Sequence, residues 1–221
     1  VDGHQYSNIN LEQLSERERA ILVEKHLMSP ALEEKLPYRN LVVSDDASIV
    51  IMVNEEDHLR IQSMVSGLRL QEAYEHAQKI DKAIEAKYPY AFDERFGYLT
   101  ACPTNVGTGL RASVMLHLPA LTISGRITRL IRSIIQLGYS VRGLYGEGSE
   151  ALGNIYQISN QRTMGVSEED TIEQLTKIVE GIIAEERKSR QSLLHNDKEG
   201  LEDVLWRSYG VLQNARRVNG K

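Results

Sequence analysis

Three short stretches concentrate the side chains that can do chemistry. VNEEDHLR, residues 53–60, sets Glu55, Glu56 and Asp57 in a row directly after the apolar run SIVIMV, and Arg60 follows. CPTNVGTGLR, residues 102–111, joins the one cysteine of the chain, Cys102, to a proline, two glycines and Arg111. VRGLYGEGSE, residues 141–150, carries Arg142 and places Glu147 between Gly146 and Gly148. Paired carboxylates can grip a cation and take its proton. Arginine forks offer paired donors to phosphate or carboxylate oxygens. Pro103 reads as an early helix position, so the glycine-rich turn is predicted to open a helix. A thiol beside the unpaired N–H groups of such a helix start gains reactivity. Each stretch also has a plainer reading: a small buried hydrophobe for Cys102, a solvated acidic turn for 55–57, and an ordinary hairpin loop around Glu147.

Common ligand patterns are missing. No Walker lysine follows the glycines and the G-x-G-x-x-G spacing does not occur. The six histidines and one cysteine show no zinc-type spacing, so no direct protein cage for a metal is expected. A net charge of −5 argues against nucleic acid as the main ligand. A polyphosphate would then need a local cluster of arginines instead of a basic surface. The longest apolar run, Ile49–Val53, is far too short to span a membrane. One cysteine cannot form an internal disulfide and nothing resembles a secretion signal, which fits a reducing cytoplasm.

The elements that must position these residues follow from pattern. At 221 residues the chain is read as one domain, 1–221, with 1–21 a linker or part of an N-terminal segment; its ends read as those of a fragment. Residues 11–25 are helix-prone with Ser15 as N-cap. Residues 40–53 give two strands joined at Asp45-Asp46. Leu70, Ala73, Tyr74, Ala77, Ile80 and Ile84 recur at helical spacing. GYLTA, before the cysteine, reads as a strand, and residues 126–137 as a helix ended by Gly138. YSVRGLY and NIYQISN are strands around the Glu147 loop. Ser167 and Asp170 start a helix with Ile172, Leu175, Val179, Ile182 and Ile183 as its buried stripe, and 201–217 form a last helix. Strand pairs with short turns among long helices predict an α+β fold with a largely antiparallel sheet flanked by helices.

NEEDHLR, then CPTNVGTGLRAS, then RGLYGEGSE, in that order, resembles the ATP:guanidino phosphotransferases, the family of creatine and arginine kinases. VEKHLMSP, GYLTACPTNVGTGLRASVMLHLPAL and RSYGVLQNARR make the chain most similar to the bacterial protein-arginine kinases. The resemblance runs from about Leu22 onward and implies the glutamine synthetase-like guanidino kinase catalytic domain. It implies ATP and Mg²⁺, with Arg60, Arg111 and Arg142 on the triphosphate, His26 near the adenine and Glu55 supporting the Mg²⁺ shell through water. It further implies that Glu56 and Glu147 grip the acceptor guanidinium while Cys102, as a thiolate, polarises it. Met115 and Gln157 depart from the family pattern, where creatine kinases carry a histidine and an aspartate near the nucleoside. The family's upstream phosphate-binding arginines and its C-terminal extension are absent from this sequence. The implied partners are arginine-bearing protein substrates, including a heat-shock repressor, and the Clp protease machinery, with a homodimer in the full-length protein. Two other activities fit the same residues: a kinase of free arginine, or a catalytically weak nucleotide-binding adaptor.

Overall fold

β-Branched residues on either side of a two-aspartate turn nucleate the first sheet. In the computed structural model, which describes residues 3–34, 36–143 and 152–217, β2 (Asn40–Ser44) and β3 (Ile49–Val53) pair antiparallel across that turn. Asp46 fastens the turn: its Oδ1 accepts from the Ser44 hydroxyl at 2.7 Å and the Ser48 amide at 3.0 Å. β1 (Tyr6–Asn10) adds to β2, and β4 (Leu59–Ser63) adds to β3, giving an antiparallel sheet in the order β1-β2-β3-β4. Thus residues 6–10, within the stretch read as a linker or part of an N-terminal segment, form a sheet strand.

Backbone contacts divide the chain into two compact units, Val1–Ser113 with Asn160–Thr176, and Val114–Ser159 with Lys177–Lys221. In the first unit α1 (Glu16–Glu24) starts at Ser15 with a reciprocal box: the Glu18 amide donates to Ser15 Oγ, and the Ser15 amide to Glu18 Oε2. Leu11, Met28, Leu32, Leu41, Val43, Val50 and Met52 close the core between this N-terminal region and the sheet. α2 (Leu70–Glu85) follows, and then a small hairpin of β5 (Phe92–Asp93) and β6 (Gly97–Tyr98). The strand predicted over 97–101 is therefore limited to its first two residues.

No helix opens at the glycine-rich turn. Pro103–Asn105 is one 3₁₀ turn, Gly107 and Gly109 take φ of 114° and 63°, and the chain leaves as an extended strand. Positive φ at two nearby positions stops helix propagation. Gly107 is also held where a side chain has no room, since an added Cβ would sit 2.2 Å from the Thr163 carbonyl oxygen.

The second unit contains β7 (Ser113–His117) from Val114 on, α3 (Pro119–Ile123), α4 (Ile127–Gln136), β8 (Tyr139–Arg142) and β9 (Ile155–Asn160) up to Ser159, the strands ordered β7-β9-β8. α5 (Glu168–Asn196) begins in the first unit and ends in the second; Ile172, Leu175, Val179 and Ile182 are buried along it as its periodicity predicts, while Ile183 is half-buried. α6 (Lys198–Asn214) closes the described chain. Among the described residues no helix is long and apolar enough to cross a membrane.

Buried Glu186 ties α3 to α5, accepting the amides of Ala120 at 3.1 Å and Leu121 at 3.0 Å and the Nε–H of Arg190 at 2.7 Å. Burial opposes its ionisation, but these bonds and the Arg190 charge outweigh it and hold the carboxyl below the ordinary glutamate value. Glu186→Ala strands two buried amides, at about 1–3 kcal/mol each, so chemical denaturation at neutral pH should show a loss of about 3 kcal/mol. A depressed carboxyl contributes stability above its ordinary pKa of 4.5 and loses it as pH falls through the folded value. The gap between parent and variant should thus close in acid. A gap independent of pH would mean that the carboxylate charge contributes nothing.

Candidate active site

The first unit brings two of the three chemically loaded stretches together. β3 and β4 place Met52 opposite Arg60 and Val53 opposite Leu59, and the Asn54 amide donates to the His58 carbonyl at 3.0 Å to close the tip. Asn54 has φ 57°, a left-handed conformation that asparagine tolerates better than most residues. The three acids of this tip differ in their surroundings. Glu55 and Asp57 are half-buried; Glu56 between them is exposed.

Glu55 Oε1 accepts from the Ser29 hydroxyl at 2.5 Å and from an Arg60 Nη at 3.2 Å, and Oε2 accepts the Glu56 amide at 3.2 Å. Burial works against its charge, yet the Ser29 bond, the Arg60 charge and the Glu56 amide prevail and hold Glu55 below the usual glutamate range. Asp57 turns toward the second stretch, taking the Ala101 amide on Oδ1 at 2.6 Å and the Asn105 Nδ2 on Oδ2 at 3.0 Å. The same Asn105 nitrogen lies 3.5 Å from Glu56 Oε2, at the outer limit of a hydrogen bond.

Cys102 is partly buried and stands before the 3₁₀ turn, its Sγ 3.0 Å from the Thr104 hydroxyl. The far side of this turn is anchored by Thr163, whose hydroxyl donates to the carbonyls of Thr104 at 3.1 Å and Val106 at 2.8 Å. Tyr98 and Gly107 exchange backbone bonds at 2.8 and 3.1 Å. The carbonyl of His26, itself in the left-handed region with φ 58°, accepts from Gln62 Nε2 at 2.7 Å, two residues beyond Arg60 on β4.

Arg111 lies between two backbone groups held by one side chain: Asn160 accepts the Ala112 amide at 2.8 Å and donates to the Leu110 carbonyl at 3.0 Å. In the second unit Arg142 ends β8, Gln157 lies in β9 and Met115 is exposed on β7. Glu147 lies outside the described residues. Sequence reasoning passed over Ser29, Asn105, Asn160 and Thr163, because each acts on a partner far away in sequence. Asp57 alone carried a local signal, as the third acid of NEED.

Among the described residues one group has metal-ligand spacing: His4 Nδ1 lies 3.0 Å from Asp45 and 3.7 Å from Asp46. The Asp46 oxygen is already taken by Ser44 and Ser48, so the group is accounted for by the turn it closes.

Ser29→Ala should raise the Glu55 pKa toward its ordinary 4.5, as read by NMR titration of the side-chain carboxyl. The ionised Glu55 contributes stability above that value and loses it as pH falls through the folded pKa, so the variant should lose it at higher pH than the parent. An unmoved titration would show that the Ser29 bond does not favour the charged form.

A family model described as ATP:guanido phosphotransferase, C-terminal catalytic domain, matches residues 2–189. The protein-arginine kinase of Geobacillus stearothermophilus is 54% identical over 220 residues, which cover 100% of this chain and 61% of that relative. Among solved structures a lombricine kinase is 25% identical with a TM-score of 0.72, over 85% of this chain and 55% of that one. The duplicated taurocyamine kinase from Schistosoma mansoni, bound to transition state analog components, is 30% identical with a TM-score of 0.73, over 83% of this chain and 27% of that one. The likeness begins some twenty residues before Leu22, where the sequence motifs placed its start. With the acidic hairpin, the cysteine turn and the antiparallel sheet in place, the chain belongs to the ATP:guanido phosphotransferase family, in the part that forms its C-terminal catalytic domain.

Proposed function

We propose that this domain transfers the γ-phosphoryl group of ATP to arginine side chains of proteins. The observation that carries the reading is the hairpin 54–58. It sets an exposed carboxylate between two anchored ones, against the turn that bears Cys102, in a chain 54% identical to a protein-arginine kinase. The chain spans about three fifths of that relative, so the activity of the whole protein is part of the proposal.

A guanidinium is a cation and a poor nucleophile, while ATP is a polyanion; each needs an opposite charge to reach the other. In the proposed reaction Glu56 and Glu147 hold N–H groups of the acceptor and aim one nitrogen at the γ-phosphorus. A bond forms from that nitrogen to phosphorus as the bond to the β-phosphate oxygen breaks, ADP leaves, and the guanidinium proton passes to a glutamate. Arg60, Arg111 and Arg142 take phosphate oxygens as charge spreads over the moving group. Cys102 offers a negative sulfur beside the guanidinium, and His26 serves the adenine. Mg²⁺ would neutralise and orient the β- and γ-phosphates. Glu55 fits that ion through water, because both its oxygens already hold protein donors and a direct cage is not available.

A kinase of free arginine is the second reading, favoured by the likeness to the lombricine and taurocyamine kinases. Offering ATP with either free arginine or an unfolded arginine-rich protein separates the two. By family resemblance the protein substrates would include a heat-shock repressor and material for Clp proteolysis, in a reducing cytoplasm, with a homodimer in the longer protein.

Glu56→Gln and Glu147→Gln should each lower phosphoarginine formation by roughly 10²–10⁴-fold, the usual worth of a general base, while nucleotide affinity survives. A Glu147→Gln protein with the parent rate would reduce that residue to loop filling. Blocking Cys102 with iodoacetamide should inhibit, with ATP and acceptor protecting the thiol.

A further inference from the structure

We propose that Asp57 is a positioning residue that locks the Cys102 turn to the hairpin bearing Glu56, and so sets where thiol and carboxylate stand relative to one another. The inference rests on the proposed function for its kinetic meaning, and on geometry for the lock itself. One carboxylate reaches two donors that bracket the cysteine: Ala101 N, one residue before it, at 2.6 Å, and Asn105 Nδ2, three residues after, at 3.0 Å. These partners lie 44 and 48 positions away in sequence. Two bonds from one rigid planar group define an orientation as well as a distance.

The turn does not need Asp57 to exist. Its far half is held by Thr163 through the Thr104 and Val106 carbonyls and by the Tyr98–Gly107 bonds. What Asp57 supplies is registration against the acidic tip, and Asn105 carries that registration on, its Nδ2 lying 3.5 Å from Glu56 Oε2. Without Asp57 the turn keeps its shape and loses its place. Asparagine at 57 would be a poor substitute. Its oxygen can still accept the Ala101 amide, but its NH₂ then faces the NH₂ of Asn105, and flipping the Asn105 amide to accept that donor turns its nitrogen away from Glu56.

That conflict supplies the test. Asp57→Asn, Asn105→Asp and Asn105→Ala each break the lock, the second by setting two carboxylates face to face. The Asp57→Asn/Asn105→Asp exchange restores one amide and one carboxylate across the same gap. We expect each single variant to lower kcat for phosphoarginine formation about 10²-fold, the scale of a 1 Å misplacement, with KM for ATP unchanged. Each should also quicken iodoacetamide alkylation of Cys102, and the exchange should return the alkylation rate toward the parent, while kcat stays low because the carboxylate introduced at 105 also faces Glu56. Melting curves accompany every variant. Single variants with lower melting temperature but parent kcat and parent alkylation rate would make Asp57 a stabilising staple and overturn the proposal, as would an exchange alkylated no more slowly than its parts. If the parent forms no phosphoarginine while alkylation still follows the lock and its rescue, the lock stands and the kinase reading falls.

Discussion

Three consecutive carboxylates at a strand end repel one another, and a tip left to solvent would not hold a fixed position. The hairpin 54–58 meets this constraint because its backbone is bent, starting from Asn54 at φ 57°, so that neighbouring acids reach different partners. Glu55 turns one way to Ser29 and Arg60, Asp57 turns to Ala101 and Asn105, and each has its charge met by donors. Glu56, between them, remains exposed. Two acids are used to hold the tip so that the third can be presented. The placement of the cysteine turn depends on the same arrangement, since one of the holding acids is what grips it.

The Glu55–Arg60 pair divides its two members unequally. The Glu55 side chain is 7% exposed and that of Arg60 45%. The acid is the fixed partner, held also by a serine and an amide, and the arginine is the one with solvent on its side. The pair is therefore buried on one side only. In the proposed reaction it keeps a guanidinium beside the hairpin without burying it, where an incoming anion can compete for it. A protein of net charge −5 can bind a polyphosphate only through such local placement.

Much of this was legible from residue patterns. The two strands around Asp45-Asp46, the Ser15 start of α1 and the apolar stripe of α5 are local features, written in periods of two and of about four residues. β4 was missed although LRIQS alternates, because five residues next to an acidic tip resemble a loop. The candidate acids and arginines were legible as types in a specific order. Their supports were not: Ser29 and Glu55 are 26 positions apart and Ala101 and Asp57 are 44 apart, and no period in the sequence links them. Asn160 is the clearest case, a polar residue ending a mostly buried strand whose purpose appears only when its amide is seen spanning the backbone around Arg111.

The cysteine turn shows why the local rule failed and what replaces it. Proline after cysteine does begin a helical turn, but two glycines at positive φ end it within three residues, and so short a turn has no helix dipole to offer a sulfur. The negative character that the proposed reaction asks of Cys102 therefore has to be met by side chains and by position. The Thr104 hydroxyl, 3.0 Å away, is the nearby hydrogen-bonding partner, and Thr163 fixes Thr104 in turn through its carbonyl. Position comes from the opposite side, through the bonds of Asp57 to Ala101 and Asn105. A thiol set this way owes its surroundings to contacts made 44 to 59 residues away, so the cysteine motif is chemically meaningful only once the acidic hairpin and residue 163 have been brought to it.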